Sequence, residues 1–127
     1  MDFRRLLLVT TVATALTALM GVITATAGAG LTCEARWPLC DGAVFGLFPA
    51  NFMSFIEWFH RLIAMITGIL IIGSTVAVWR GGGRRRVRVA TLAAMLLTPL
   101  QIVFGAFTVL VHEFVFGYSV LVLTLHF

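Results

Sequence analysis

The sequence predicts an all-α integral membrane protein, a four-helix bundle with a cytoplasmic N-terminus. Of its 127 residues, 61% are hydrophobic and only 11% are charged, whereas soluble domains are about 25% charged. The apolar residues form four long runs, and the nine basic residues are all arginines, most of them clustered beside those runs. Such clusters are membrane-topology signals, so the net charge of +4 does not indicate nucleic-acid binding.

The four predicted transmembrane helices cover about residues 6–27, 52–79, 89–111 and 114–127. Crossing the hydrocarbon core takes about 20 residues, which the first three runs satisfy and the fourth does not. We therefore interpret the sequence as a fragment of a longer protein. The first run exceeds the apolar part of a signal peptide, about 7–15 residues, and is interpreted as a retained helix.

The arginines also set the predicted orientation. Arg4 and Arg5 precede the first helix, and five more arginines lie in the predicted loop 80–88. The positive-inside rule makes both regions cytoplasmic. The loop 28–51 then lies on the outer face of a multi-pass protein of the plasma membrane.

Three ionisable residues, Glu57, His60 and Arg61, interrupt the second apolar run. An ionisable side chain in the bilayer centre costs about 2.5–3.5 kcal/mol on insertion scales and marks a functional site. Glu57 and His60 are three residues apart and share one helical face. At 1.5 Å per residue, His60 lies about 12 Å and His126 of the fourth helix about 18 Å below the outer surface.

Two opposed histidines at similar depth are suited to be the two axial ligands of a haem iron. Arg61 would then form an ion pair with a haem propionate. The alternative for each histidine is a hydrogen-bonded core residue. A helix with Glu-x-x-His also occurs in di-iron bundles. That site needs further carboxylates, and the remaining acidic residues are predicted to lie outside the core.

The only cysteines, Cys33 and Cys40, lie in the predicted outer loop. An even pair outside the cytoplasm favours a disulfide that shapes the loop. A redox-active pair is a second interpretation, although the spacing is not Cys-x-x-Cys. A metal site is a third, although no histidine is close in sequence.

Three motifs resemble those of the haem A synthase family. Residues 28–42 read GAGLTCEARWPLCDG and resemble the family's SGLSCPDWPLCxG loop, including the cysteine spacing. Residues 56–64 read IEWFHRLIA and resemble EWxHRxxA, and residues 101–110 read QIVFGAFTVL and resemble QxxxGxxTVL. The sequence departs from the family in lacking an arginine before the glycine-rich turn and the acidic residue of CPDWP.

The resemblance implies an eight-helix protein with two similar halves, of which this chain is the N-terminal half. The family oxidises a methyl group of haem O to the formyl group of haem A, for use in terminal oxidases. By this resemblance Glu57 is the essential carboxylate, His60 and His126 ligate the haem, and Cys33 and Cys40 form a disulfide. Haem O or haem A is then substrate or product here, and haem b is the cofactor of the other half.

The implied partners are haem O, the lipid bilayer, haem O synthase, and either the missing half or a second copy of this chain. Three other functions remain open from the residues. A haem b electron-transfer cytochrome would retain unmodified haem b. A thiol–quinone oxidoreductase would depend on Cys33 and not on His60, and a non-enzymatic assembly subunit would tolerate Glu57→Gln.

Overall fold

The computed structural model describes three stretches of the chain, residues 2–33, 36–41 and 50–114, with side chains described up to residue 107. Their elements are the helices α1 (Phe3–Thr26), α2 (Phe52–Arg80) and α3 (Arg85–Phe114). No β-strand forms in these stretches, which confirms the predicted all-α class. The predicted fourth helix, apart from its first residue, lies outside the described residues.

Polar side chains cap the N-terminal ends of two helices. The carboxylate of Asp2 accepts a hydrogen bond from the Arg4 amide at 3.3 Å, so α1 begins three residues before its predicted start. The side chain of Asn51 caps α2 by accepting from the Ser54 amide at 2.9 Å. Asparagine and aspartate favour this position because they satisfy amides that have no partner within the helix.

The start and the end of α3 differ from prediction. The helix begins at Arg85, four residues earlier than expected, so the connection after α2 is confined to residues 81–84. Arginine is a good helix former, so Arg85, Arg86 and Arg88, which are predicted to lie in the loop 80–88, belong to α3 instead. The helix also passes Pro99 and continues to Phe114, beyond its predicted end at residue 111.

All three helices are long and apolar enough to cross a membrane. Large apolar side chains cover their outer surfaces, as at Leu8, Ile69 and Leu96, which are 66%, 64% and 65% exposed. Exposed apolar patches of this extent suit a lipid environment rather than water. The chain is therefore an α-helical membrane protein, as predicted.

The second helix is the centre of the fold, because α2 packs against both α1 and α3. Hydroxyl groups join the helices at several levels. The Thr10 and Ser74 hydroxyls are 2.6 Å apart, those of Thr17 and Thr67 are 2.8 Å apart, and Thr75 donates to the Thr91 carbonyl at 3.0 Å. Small polar residues allow helices to approach closely and bond in lipid.

Candidate functional site

The N-terminal end of α2 lies under a loop that a disulfide closes. Cys33 and Cys40 are bonded to each other and are almost completely buried, with 1% and 0% exposed. Both sulfur atoms lie 3.6 Å from the Ser54 carbonyl oxygen. Trp58 of α2 packs in the same cluster, with Phe59 and Leu62 at its edge. The predicted disulfide is confirmed, and it fixes the loop to the first turns of α2.

A second attachment follows directly after Cys40. Asp41 has a positive φ of 48°, a conformation that aspartate tolerates better than most residues. Its carboxylate accepts hydrogen bonds from the Asn51 side-chain amide at 2.8 Å and from the Ser54 hydroxyl at 3.1 Å. Asn51 and Ser54 therefore hold the end of the loop and the start of α2 together.

Glu57 is the buried charge of this region, with 2% of its surface exposed. Its Oε2 atom accepts hydrogen bonds from the Thr32 hydroxyl at 2.9 Å and from the Cys33 backbone amide at 2.7 Å. Its Oε1 atom forms an ion pair with Arg61, one turn further along α2. A buried carboxylate needs such charge-assisted hydrogen bonds to offset its lost hydration.

Arg61 connects Glu57 to the loop from the other side. Its guanidinium donates to the Arg36 carbonyl oxygen at 3.2 Å and to the Glu57 carboxylate. The Arg61 side chain is 22% exposed, compared with 3% for Glu57. The guanidinium thus lies at the edge of the site, and here its partner is Glu57. Its predicted pairing with a haem propionate stays a prediction.

His60 lies one turn after Glu57 on α2 and is half-buried. The neighbouring Trp58 is 8% exposed, and its indole Nε1 has no hydrogen-bond partner in the part of the chain that the structure describes. His126 falls outside the described residues, so its opposition to His60 stays a prediction. The structure therefore brings Glu57 and Arg61 together and places His60 beside them.

The described side chains include no group of three or more His, Cys, Asp or Glu residues that could hold a metal ion. A haem iron requires only its axial ligands from the protein, and an imidazole such as that of His60 suits this role. The described site thus contains, in His60, one side chain with the chemistry of a haem ligand.

Three polar residues of this site were not predicted from the sequence, namely Thr32, Asp41 and Ser54. Their roles depend on contacts between the loop and α2, which no local pattern encodes. Only Asn51 carried a sequence signal, because an asparagine before an apolar run is a typical helix cap.

The fold and the site define a multi-pass helical membrane protein with a buried carboxylate under a disulfide-closed loop. Comparisons with known proteins give the family. Residues 4–127 match the model of a family described as cytochrome oxidase assembly protein. The chain belongs to this family, which agrees with the haem A synthase resemblance of its motifs.

Several curated proteins are similar to this chain. It is 32% identical to the haem A synthase of Bacillus licheniformis over 94% of this chain and 38% of that protein. The haem A synthase of Bacillus pumilus is also 32% identical, over 98% of this chain and 39% of that protein. A protoheme IX farnesyltransferase of Halobacterium salinarum is 39% identical over 70% of this chain and 20% of that protein. The chain thus spans well under half the length of these relatives, and no solved structure matches it.

Proposed function

We propose that this chain is the haem-binding part of a haem A synthase, which oxidises a methyl group of haem O to the formyl group of haem A. The observation that carries the proposal is the buried Glu57, held under the disulfide-closed loop one turn from His60. Membership of the cytochrome oxidase assembly protein family and similarity to two haem A synthases support it.

In this proposal His60 and His126 would hold the haem O. The bound haem O supplies the iron that they ligate and the methyl carbon that is oxidised. His60 is half-buried on the helix that carries Glu57, so a ligand at this imidazole would lie near the carboxylate. The proposal leaves Arg61 able to contact a propionate, because the guanidinium is partly exposed.

Glu57 acts in this proposal as a fixed negative charge. Its two oxygens already accept from Thr32, from the Cys33 amide and from Arg61. A carboxylate with three donors is held in place and is less available as a free base. Such a preorganised charge stabilises positive charge that develops on a substrate. A role for Glu57 as a mobile proton acceptor is therefore the weaker one.

The disulfide-closed loop has two tasks in this proposal. It covers the N-terminal end of α2, which excludes water and strengthens the electrostatic interactions below it. It also supplies two of the three donors to Glu57, through Thr32 and the Cys33 amide. The loop therefore positions the carboxylate and does not itself react with the substrate.

The decisive experiment measures the haems that the full-length protein makes and retains. The protein is produced together with a haem O synthase, and its haems are extracted and identified by mass spectrometry. We expect haem A from the wild-type protein, and haem O without haem A from Glu57→Gln. Asp41→Asn is the matched control, since Asp41 is a carboxylate at the same end of α2 that makes no contact with Glu57 in the described hydrogen bonds.

Three results would count against the proposal. Haem b as the only retained haem, with no haem A formed, would indicate an electron-transfer cytochrome. Loss of function in Cys33→Ser with full function in His60→Ala would indicate a thiol–quinone oxidoreductase. Haem A formation by Glu57→Gln at the wild-type rate would remove the role given to the carboxylate.

A further inference from the structure

Arg36 is the arginine of the disulfide-closed loop, and the structure fixes its backbone on both sides. The Arg36 amide donates to the Cys33 carbonyl at 3.2 Å, and the Arg36 carbonyl accepts from the Arg61 guanidinium at 3.2 Å. The disulfide between Cys33 and Cys40 closes the loop around this residue. Arg36 itself is exposed, so its side chain extends from a fixed piece of backbone.

The loop places Arg36 beside the turn of α2 that carries His60. Its carbonyl oxygen contacts the guanidinium of Arg61, which follows His60 directly in the chain. The same guanidinium forms the ion pair with Glu57. The loop therefore brings a second arginine to the end of α2 where the haem is proposed to bind.

The position of Arg36 separates it from the arginines that signal membrane topology. Those arginines lie at the opposite end of the bundle, namely Arg4, Arg5, Arg80, Arg84, Arg85, Arg86 and Arg88. At the Glu57 end, the arginines of the described residues are Arg36 and Arg61. Arg61 is ion-paired with Glu57, so a negatively charged ligand at this end gains most from the charge of Arg36.

The charge at this position also differs from the family motif. In CPDWP the residue directly before Trp-Pro is acidic, whereas here Arg36 directly precedes Trp37 and Pro38. The first helix lacks the arginine that the family has before the glycine-rich turn. Relative to the family motifs, a positive charge is thus absent from the end of the first helix and present in the loop.

We propose that Arg36 binds one of the two propionates of the haem, beside the propionate contact of Arg61. This inference rests on the proposed function, because it requires a haem at His60. The planar guanidinium matches the geometry of a carboxylate and forms charge-assisted hydrogen bonds with it. Arg61 already donates to Glu57 and to the loop, whereas the two loop bonds of Arg36 use its backbone alone. Arg36 therefore determines specificity for a haem with free carboxylates.

The test compares two haems that differ only in their propionates. The full-length protein without haem is titrated in detergent with ferric haem b or with its dimethyl ester, in which both propionates are neutral, and the Soret absorbance is followed. Binding that His60→Ala abolishes is binding at this site. We expect Arg36→Gln to weaken the binding of the free-acid haem about fivefold, which corresponds to about 1 kcal/mol. Binding of the dimethyl ester should not change, because no carboxylate is present.

Further variants separate the charge of Arg36 from other effects. Arg36→Lys keeps the charge and should restore most of the binding of the free-acid haem. Arg36→Asp, which introduces the acid of the family motif, should weaken that binding more than Arg36→Gln does. Arg84→Gln is the matched control, since it removes an exposed arginine from the opposite end of the bundle and should affect neither haem. Each variant at position 36 keeps the backbone amide and carbonyl, and circular dichroism establishes that it is folded.

Three results would overturn the role given to Arg36. An unchanged affinity of Arg36→Gln for the free-acid haem would exclude the contact. An equal loss of affinity for the free-acid haem and the dimethyl ester would indicate that Arg36 supports the loop and binds no propionate. An equal loss in Arg84→Gln would indicate a general effect of charge.

The proposed haem site fails in a different way from the Arg36 contact. If His60→Ala bound both haems as tightly as the wild-type protein does, no haem would be held at His60, and the inference about Arg36 would fall with that site. If His60→Ala abolished binding and Arg36→Gln left it unchanged, the haem site would stand without the Arg36 contact.

Discussion

The two ends of α2 carry charge in different ways. At the N-terminal end the Glu57 carboxylate is surrounded by donors from the chain itself, and a disulfide holds two of those donors in place. At the C-terminal end there are several arginines, and Asp2 is the one acid at that end among the described residues. A chemical site requires fixed geometry, whereas an orienting charge at a membrane surface requires only the right sign. The two ends of α2 therefore differ in how many partners the described chain gives to each charge.

The largest effect is expected from removing the carboxylate of Glu57. Glu57→Ala removes the carboxylate that accepts from the Arg61 guanidinium and from the Cys33 amide. Breaking a buried ion pair costs about 3–5 kcal/mol, and the lower end applies here because Arg61 is partly exposed. We expect the midpoint of denaturant unfolding in detergent to fall accordingly, together with loss of haem A formation.

Arg84→Ala is the control for Glu57→Ala at the other end of α2. Arg84 is exposed, so its removal should change the unfolding midpoint little. If Glu57→Ala and Arg84→Ala lowered the unfolding midpoint equally, the two ends of α2 would not differ in the way described above.

The next effect is expected from the disulfide. Closing a loop of this size stabilises the folded state by about 2–3 kcal/mol in the chain-entropy model. Cys33→Ser should destabilise the protein by this amount. It should also slow haem A formation, because the disulfide no longer holds the backbone amide of residue 33 in place against Glu57. Both effects are measured on the same preparation, by unfolding and by haem extraction.

Cys40→Ser provides the internal control for this prediction. Each single substitution removes the same bond, so the double variant should be no less stable than either single one. If the double variant lost twice as much stability as either single variant, the two cysteines would act independently. That result would contradict the Cys33–Cys40 disulfide of the structure.

A smaller effect is expected from Thr32, which donates to Glu57 at 2.9 Å. A hydrogen bond to a charged group contributes about 1.5–3 kcal/mol, and Thr32 is half-buried, so the lower value is expected. If the bond positions Glu57 for the reaction, Thr32→Val should slow haem A formation about tenfold, since about 1.4 kcal/mol corresponds to that factor. Thr32→Ser keeps the hydroxyl and should restore the rate, whereas equal rates in Val and Ser variants would exclude a positioning role.

The sequence could predict the charged residues of the site but not the neutral groups that bond to them. Glu57 and Arg61 stood out because charge is rare in an apolar run, and the structure places them together. Thr32 did not stand out, because a threonine in a loop is common and its bond to α2 is a tertiary contact. The Cys33 amide carries no sequence signal at all, since every residue except proline has one.

The boundaries of the helices show a second limit of sequence interpretation. The start of α2 was predicted correctly because the apolar run itself begins at Phe52. The start of α3 was placed too late, because Arg85, Arg86 and Arg88 were interpreted by their charge and not by their helix propensity. Charge indicates which side of a membrane a segment prefers, and it does not indicate where a helix begins.

The smallest effect is expected from the hydroxyl contact at the arginine end of the bundle. Thr10→Val removes the bond between the Thr10 and Ser74 hydroxyls and keeps the shape of the side chain. Hydrogen bonds between transmembrane helices contribute about 0.6 kcal/mol on average. The unfolding midpoint should therefore shift slightly, and haem A formation should not change. Thr11→Val is the matched control, because Thr11 is exposed and donates to the Leu7 carbonyl of its own helix. A loss of haem A formation in Thr10→Val, with Thr11→Val unaffected, would show that the two ends of α2 are coupled rather than independent.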